Sequence, residues 1–332
     1  MRTASRNLQK ESGNGGTEKP CPHSLGAGMP ELPEVETVAR GLQREIAGRR
    51  VVSVTLGQTD FMDNPGEMER LLPGAVIRVV ERYGKFMLLR LNPAAPTEET
   101  ALLVHLGMTG AMMPKAASEP HAKHTHFVAL LDDGRELRYV DPRRFGRMAV
   151  LRGEALQAEL VRFGADPLQV PLEEFLERIR TRKARIKALL LDQHVLRGVG
   201  NIYADESLWK AKIHPAQLGA RISREQVERL YHALQDILEK AIVLRGSTIS
   251  DFLDVEGAPG EYQLHHRVYG REGKACPRCR TKIRRIVVAG RSSYFCPNCQ
   301  RRPRGRKRVG RAKPVVRRGA SKRAAKVATT GK

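Results

Sequence analysis

HTHFVALLDDGRELRYV, residues 124–140, decides how the first half of this chain folds. Two runs rich in β-branched, aromatic and alternating residues flank Asp133-Gly134. An Asp-Gly pair between such runs predicts a hairpin turn, because both central residues must take positive φ. Runs of the same kind lie on either side: VVSVTLG (51–57), AVIRVVERYGKFMLLRL (75–91), ALLVHLGMTGAMM (101–113) and RMAVLR (147–152). Together they predict a mostly antiparallel β-domain. An amphipathic helix precedes it in MPELPEVETVARGLQREIAG (29–48), where Leu32, Val35, Val38, Leu42 and Ile46 recur at three- and four-residue steps.

Beyond residue 152 the pattern turns irregular, and GADPLQVP (164–171) reads as a linker. From Leu172 the periodicity is helical, in EEFLERIR, ARIKALLLDQ, ADESLWKAKI and REQVERLYHALQDILEKAIV. Strands first and helices afterwards place the chain in the α+β class. The expected division is a leader at 1–28, a sheet domain at 29–162, a helical domain at 163–265, a cysteine module at 266–300 and a tail at 301–332. Leader and tail, rich in Gly, Ser and Asn or in basic pairs with Ala, Gly and Pro, lack the apolar residues for a core and read as disordered.

The 332 residues hold 59 Lys+Arg against 36 Asp+Glu, a formal net charge of +23. That balance excludes an acidic, self-solubilising protein and points to an anionic partner, most simply nucleic acid. The charge is uneven: residues 301–332 hold 14 basic and no acidic side chains, whereas residues 29–300 carry a net of only +7. No run of eighteen apolar residues occurs, so no membrane-spanning helix is expected.

Cys276-x2-Cys279 and Cys296-x2-Cys299, separated by sixteen residues, have the spacing of a four-thiolate zinc site. The intervening IRRIVVAGRSSYF reads as two strands around Ala289-Gly290, hence a zinc-bound β-hairpin. Four protein ligands close the coordination sphere, so one structural rather than catalytic ion is expected. Arg284, Arg285 and Arg291 rim the hairpin and suit phosphate contact. Cys21 stands apart in the leader. His121, His124 and His126 have no Cys or acidic partner nearby that would complete a metal site; alternation puts His124 and His126 on one strand face, where DNA-backbone contact or simple surface is the preferred reading. His105, on an apolar strand, reads as a hydrogen-bonded core residue.

PELPEVE (30–36) by itself is a good helix start, with proline in the first turn and acids against the helix dipole. A second reading depends on Met29. Were translation to start there, or the leader be removed, Pro30 would present a secondary amine. An α-amino group titrates near pH ~8 against ~10.4 for lysine, so far more of it is neutral and nucleophilic at pH 7. It could attack an electrophilic sugar carbon, with Glu31 moving the proton. With the leader attached, that nitrogen is an amide and cannot react.

Taken together, MPELPEVETVARGL, RYGKFMLLRL, HLGMTG, RYVDPRRFG, IKALLLDQHVLRGVGNIYADESLWKAKIHP and VYGREGKACPRC resemble, in order across residues 29–300, bacterial formamidopyrimidine-DNA glycosylase. The resemblance implies an α+β protein: an N-terminal antiparallel β-sandwich domain flanked by helices, then a helical domain with a helix–two-turns–helix motif and the four-cysteine zinc hairpin. It implies a cytoplasmic base-excision repair enzyme, monomeric, acting on damaged double-stranded DNA. Such an enzyme excises 8-oxoguanine and formamidopyrimidines through a Schiff base on an N-terminal proline, then nicks the abasic site by β,δ-elimination.

By resemblance Pro30 is the nucleophile, Glu31 its acid/base partner, and Lys85 and Lys187 are functional lysines near the damaged nucleotide. Asn201 and Arg291 clamp phosphates beside the lesion. Met108, Arg143 and Phe145 fill the void left by the everted base: an apolar wedge, a guanidinium for the orphaned partner base and an aromatic ring to stack. The loop 247–262 covers the everted base. PELPE rather than PEGPE, together with DPRRFG, argues against endonuclease VIII-type specificity for oxidised pyrimidines. A non-enzymatic zinc-containing DNA-binding protein is the reading if the leader stays attached.

Overall fold

Two sheets form where the alternating runs predict strands. The computed structural model describes residues 29–93, 98–249 and 252–302; the leader and the tail beyond Arg302 lie outside the described residues. In chain order the elements of the first half are α1 (Leu32–Ile46), β1 (Val51–Leu56), β2 (Met62–Asp63), α2 (Pro65–Leu71), β3 (Val76–Tyr83), β4 (Phe86–Asn92), β5 (Thr100–His105), β6 (Ala111–Ala116), β7 (Thr125–Leu131), β8 (Arg135–Val140), β9 (Arg147–Arg152) and α3 (Gly153–Val161). One sheet has the order β1-β7-β8-β6 and the other β2-β9-β5-β4-β3. All pairings are antiparallel except the short β2–β9 pair. The β7–β8 hairpin turns over the three residues 132–134, where Gly134 takes φ +81° but Asp133 does not take positive φ, so the loop is one residue longer than the two-residue Asp-Gly turn.

The second half contains α4 (Leu172–Arg180), α5 (Ile186–Leu191), α6 (Asn201–Lys210), α7 (Arg224–Val243) and the hairpin β10 (Arg284–Val288) and β11 (Arg291–Phe295). Ala289 and Gly290 both have positive φ between those strands. Two elements depart from expectation. Residues 153–161, read as irregular, form α3; only Leu156, Glu159 and Leu160 are buried there, too few to print a helical period. The stretch between β1 and β3 also holds α2, whose one buried residue is Met68.

Helix α1 decides how the halves meet. Val35, Val38, Leu42 and Ile46 pack into the sandwich core with Met87, Leu89, Val104, Phe127 and Tyr139. Leu32, one turn earlier, belongs instead to the helical core with Phe175, Leu190, Val199, Tyr203 and Leu234. Leu32, Val35, Leu42 and Ile46 are fully buried, and such side chains contribute roughly 1.5–3 kcal/mol each. The helix N-terminus is thereby held at the seam between two cores.

Candidate active site

At that seam Pro30 is buried and Glu31 is the N-cap residue of α1. The Glu31 carboxylate takes part in the capping box with Glu34 at the start of α1 and also caps a second helix: Ile202 N–H donates to Oε1 at 2.9 Å and Tyr203 N–H to Oε2 at 3.3 Å. These are unsatisfied donors of the first turn of α6, whose N-cap, Gly200, has no side chain to offer. A Cβ on Gly200 would fall 2.2 Å from Glu31 Cδ, so the carboxylate's place requires glycine there. Leu32 N–H also donates to the Gly198 carbonyl at 3.0 Å. Burial pushes the Glu31 carboxyl above its ordinary range, opposed by the positive charges of Lys85 and Lys187 and by the two amides.

Glu34 stands behind it. Its carboxylate accepts from Glu31 N–H at 2.9 Å, Ser247 N–H at 2.6 Å and the Tyr203 hydroxyl. Ser247 Oγ lies 3.1 Å from His266 Nε2. One buried acid thus joins the start of α1, helix α6 and the first residue of the 247–262 loop. Burial, then the neighbouring Glu31 charge, pushes Glu34 up to about 7. Glu34 was missed as a site residue, although acids three positions apart at a helix start are a capping-box signal.

Lys85 occupies the two-residue turn between β3 and β4, half-buried. Beside it the Arg197 guanidinium lies over the Tyr83 ring at 4.2 Å, which seats this turn against the loop leading into α6. Gln193 pins that loop, accepting from Gly198 N–H at 2.8 Å and donating to the Val199 carbonyl at 2.9 Å. Asn201 is the first residue of α6 and Arg291 the first of β11, both half-buried.

Lys187 sits differently from the other lysine. It is completely buried on α5, with Nζ 2.8 Å from Asp205 Oδ1 and donating to the Ser292 carbonyl at 2.7 Å. Tyr294 N–H donates to Asp205 Oδ2 at 2.8 Å. Burial pulls the lysine down and pushes the aspartate up, while their mutual attraction opposes both shifts. The pair fastens β11, and with it Arg291, to α5 and α6.

The four cysteine sulfurs lie within 4.8 Å of one another, with Cys276–Cys299 at 4.0 Å and Cys279–Cys296 at 3.4 Å. Tetrahedral zinc with bonds of ~2.3 Å sets sulfurs ~3.8 Å apart, so the residues fit the ion. Zinc there supplies folding energy to a module whose remaining core is Val268 and Ile283. Among the described residues no other group of three or more His, Cys, Asp or Glu could hold a metal. Trp209, the single tryptophan, donates Nε1–H to Cys276 Sγ at 3.5 Å and lies under Arg278 at 4.2 Å. Chelation is therefore expected to move Trp209 emission to longer wavelength and to abolish tight duplex binding, both restored by added zinc. An unchanged spectrum after verified zinc loss would show that the hairpin stands without metal.

The β5–β6 and β8–β9 loops pack together. Gly107, with φ +65°, would place a Cβ 2.5 Å from the Phe145 carbonyl carbon. Met108 is half-buried on the first loop; Arg143 and Phe145 are exposed on the second, with the guanidinium 4.6 Å from the ring centroid. A large exposed aromatic beside Arg143 and Arg144 suits stacking in nucleic acid.

His124 and His126 do lie side by side, with ring centroids 6.2 Å apart, although only His126 belongs to the strand. His124 is exposed at φ +69° just before β7, and strand alternation does not extend to it; His126 is buried on β7. His124 nevertheless adjoins the β8–β9 loop, its carbonyl accepting from Asp141 N–H at 3.1 Å. His121 does have an acidic partner, Glu136 at 2.9 Å, brought by a neighbouring strand. His105 Nδ1 accepts from Gly107 N–H at 3.0 Å, and burial pulls it down to about 4, so it is neutral as a core residue should be.

A buried carboxyl at the foot of a β-sandwich, facing a helical unit and a four-cysteine hairpin, is the arrangement of a DNA glycosylase of the helix–two-turns–helix class. Family models agree along the chain: the formamidopyrimidine-DNA glycosylase N-terminal domain matches residues 29–148, the formamidopyrimidine-DNA glycosylase H2TH domain 163–253, and the zinc finger found in FPG and IleRS 273–302. The chain belongs to the formamidopyrimidine-DNA glycosylase family. The formamidopyrimidine-DNA glycosylase of Herpetosiphon aurantiacus is 44% identical over 277 residues, covering 82% of this chain and 100% of the relative. Among solved structures, the MutM (Fpg) protein from Thermus thermophilus is 39% identical with TM-score 0.71, covering 82% of this chain and 98% of that one. A Lactococcus lactis FPG variant in complex with a Fapy-dG containing DNA is 32% identical with TM-score 0.75, covering 82% and 100%.

Proposed function

We propose that the protein excises oxidised purines, 8-oxoguanine and formamidopyrimidines, from duplex DNA and cleaves the resulting abasic site. The observation that carries this reading is the buried Glu31 beside Pro30, its carboxyl pushed above the ordinary range by burial, at a seam where Lys85 and the Asn201 end of α6 converge. In the reaction, the Pro30 nitrogen bonds to the sugar C1′ as the bond from C1′ to the base breaks. Glu31 delivers a proton to the opening sugar ring, and the iminium that forms activates the sugar for loss of its 3′ and then its 5′ phosphate. This requires a Pro30 nitrogen free of residues 1–28. Lys85 acts at the damaged nucleotide. Lys187, without solvent exposure, serves by fastening Asp205 and β11 rather than by touching substrate.

Asn201, Arg291 and His124 contact the DNA backbone, and Met108, Arg143 and Phe145 fill the space vacated by the everted base. The labour divides among a catalytic sandwich at 29–162, a DNA-binding helical unit at 163–265 and the zinc hairpin at 266–300. The enzyme works as a monomer in the cytoplasm, on nucleoid DNA; no helix among the described residues is long and apolar enough to cross a membrane. Borohydride trapping on an 8-oxoguanine·C duplex tests the reading. The basic tail adds sequence-independent affinity. Each neutralised phosphate steepens salt dependence by about 0.9 log unit of affinity per log unit of salt. Deleting residues 303–332 is expected to flatten that slope while the saturated single-turnover excision rate stays nearly unchanged; a large fall in that rate would refute the assignment.

A further inference from the structure

Both void-filling loops converge on one buried side chain that the proposed chemistry does not use. Asp141 has no solvent exposure. Its Oδ1 accepts from Thr109 Oγ1 at 2.6 Å and Arg143 N–H at 3.2 Å; its Oδ2 accepts from Gly146 N–H at 2.9 Å and the Tyr139 hydroxyl at 3.3 Å. Thr109 follows Met108 on the β5–β6 loop, whereas Arg143 and Gly146 bracket Phe145 on the β8–β9 loop. We propose that Asp141 is a positioning residue that couples the Met108 loop to the Arg143–Phe145 loop, so that all three side chains enter DNA as one rigid unit.

The chemistry explains why a carboxylate is needed. All four partners donate, two of them backbone N–H groups that cannot reverse their role. An ionised carboxylate offers acceptors on both oxygens, and such charge-assisted bonds are the strong ones. Asparagine would turn an NH2 group toward one of the two backbone donors, both on the β8–β9 loop, and so loosen that loop against the other. Filling the gap left by an everted base offsets lost stacking only if the wedge is already rigid; a wedge that must be ordered on insertion forfeits part of that gain. Cleavage at a preformed abasic site has no base to evict and depends less on the coupling.

The inference rests on the reading of Met108 and Phe145 as void fillers, and the experiment separates the two. Thr109→Val keeps the shape and removes the hydroxyl that joins the loops; Thr109→Ser keeps the hydroxyl. With Thr109→Val, single-turnover excision of 8-oxoguanine is expected to slow about tenfold, the equivalent of one lost hydrogen bond to a charged group. Cleavage of a preformed abasic site should stay near that of the parent although the lost bond lowers the melting temperature, and Thr109→Ser should restore the melting temperature and bring excision to within about twofold. Asp141→Asn should show the same split with a larger loss of excision. If Met108→Ala and Phe145→Ala slow excision but Thr109→Val does not, the coupling is wrong and the void-filling reading stands. If none of them slows excision, both fail. An equal loss on both substrates that Thr109→Ser shares would mark Asp141 as a fold residue only and overturn the proposal.

Discussion

A chain whose first residue is Pro30 is expected to give a borohydride-stable adduct with 8-oxoguanine·C duplex, and the same chain retaining residues 1–28 is expected to give none. The difference is one of orbital availability. In an amide the nitrogen lone pair is delocalised into the carbonyl, whereas a terminal amine titrating near pH ~8 keeps a useful neutral fraction at pH 7. No lysine substitutes readily: Lys187 is enclosed and paired with Asp205, and an ordinary lysine is overwhelmingly protonated at that pH. Pro30→Gly with a free amino terminus should trap more weakly, because a primary amine still forms a Schiff base. Intact mass identifies which species is active. A trapped adduct from chains still carrying the leader would sink the assignment of Pro30.

The second large effect concerns Glu31. Glu31→Gln is expected to lower single-turnover excision by about 10²–10⁴-fold, the usual contribution of a positioned acid or base, while duplex binding changes little. Glutamine can still accept from Ile202 N–H but can neither deliver nor recover a proton. The pH profile gives an independent check. Because burial raises the Glu31 carboxyl above 4.5, its acid form persists to higher pH than an exposed glutamate's, and excision should decline as pH climbs through that raised value. The variant should lack this limb.

Stability follows the same sign. Glu31 and Glu34 bind protons more tightly folded than unfolded, so their contribution is fully present below about 4.5 and is lost as pH rises toward about 7, the value reached by Glu34. Melting temperature should therefore fall across that window, and less steeply in Glu31→Gln. Unchanged excision in the variant would remove Glu31 from the chemistry.

How legible each part was depends on how local its cause is. The zinc hairpin was plain because ligand spacing and turn residues lie within one short stretch. The strands showed because alternation is local, and α1 because its apolar stripe spans four turns. Helix α3 escaped because its buried residues are too few, and the strand was expected to reach His124, where a left-handed backbone ends it although the His124 and His126 rings still lie together. Lys187 read as one more lysine near the lesion. Nothing in IKALLL announces that its charge is spent on Asp205, eighteen residues later, and on the Ser292 carbonyl of the hairpin.

By itself, then, the sequence determined the class, the order of the modules, the cysteine ligands and the family to which the motifs belong, because each is written in short-range spacing. Only the tertiary structure decided what the acids do. That Glu31 caps α6 as well as its own helix, that Glu34 holds the start of the 247–262 loop, and that Asp141 gathers donors from two loops all depend on burial and on partners far along the chain. A carboxylate's role is set by which donors surround it once water is excluded, and those donors are chosen by packing.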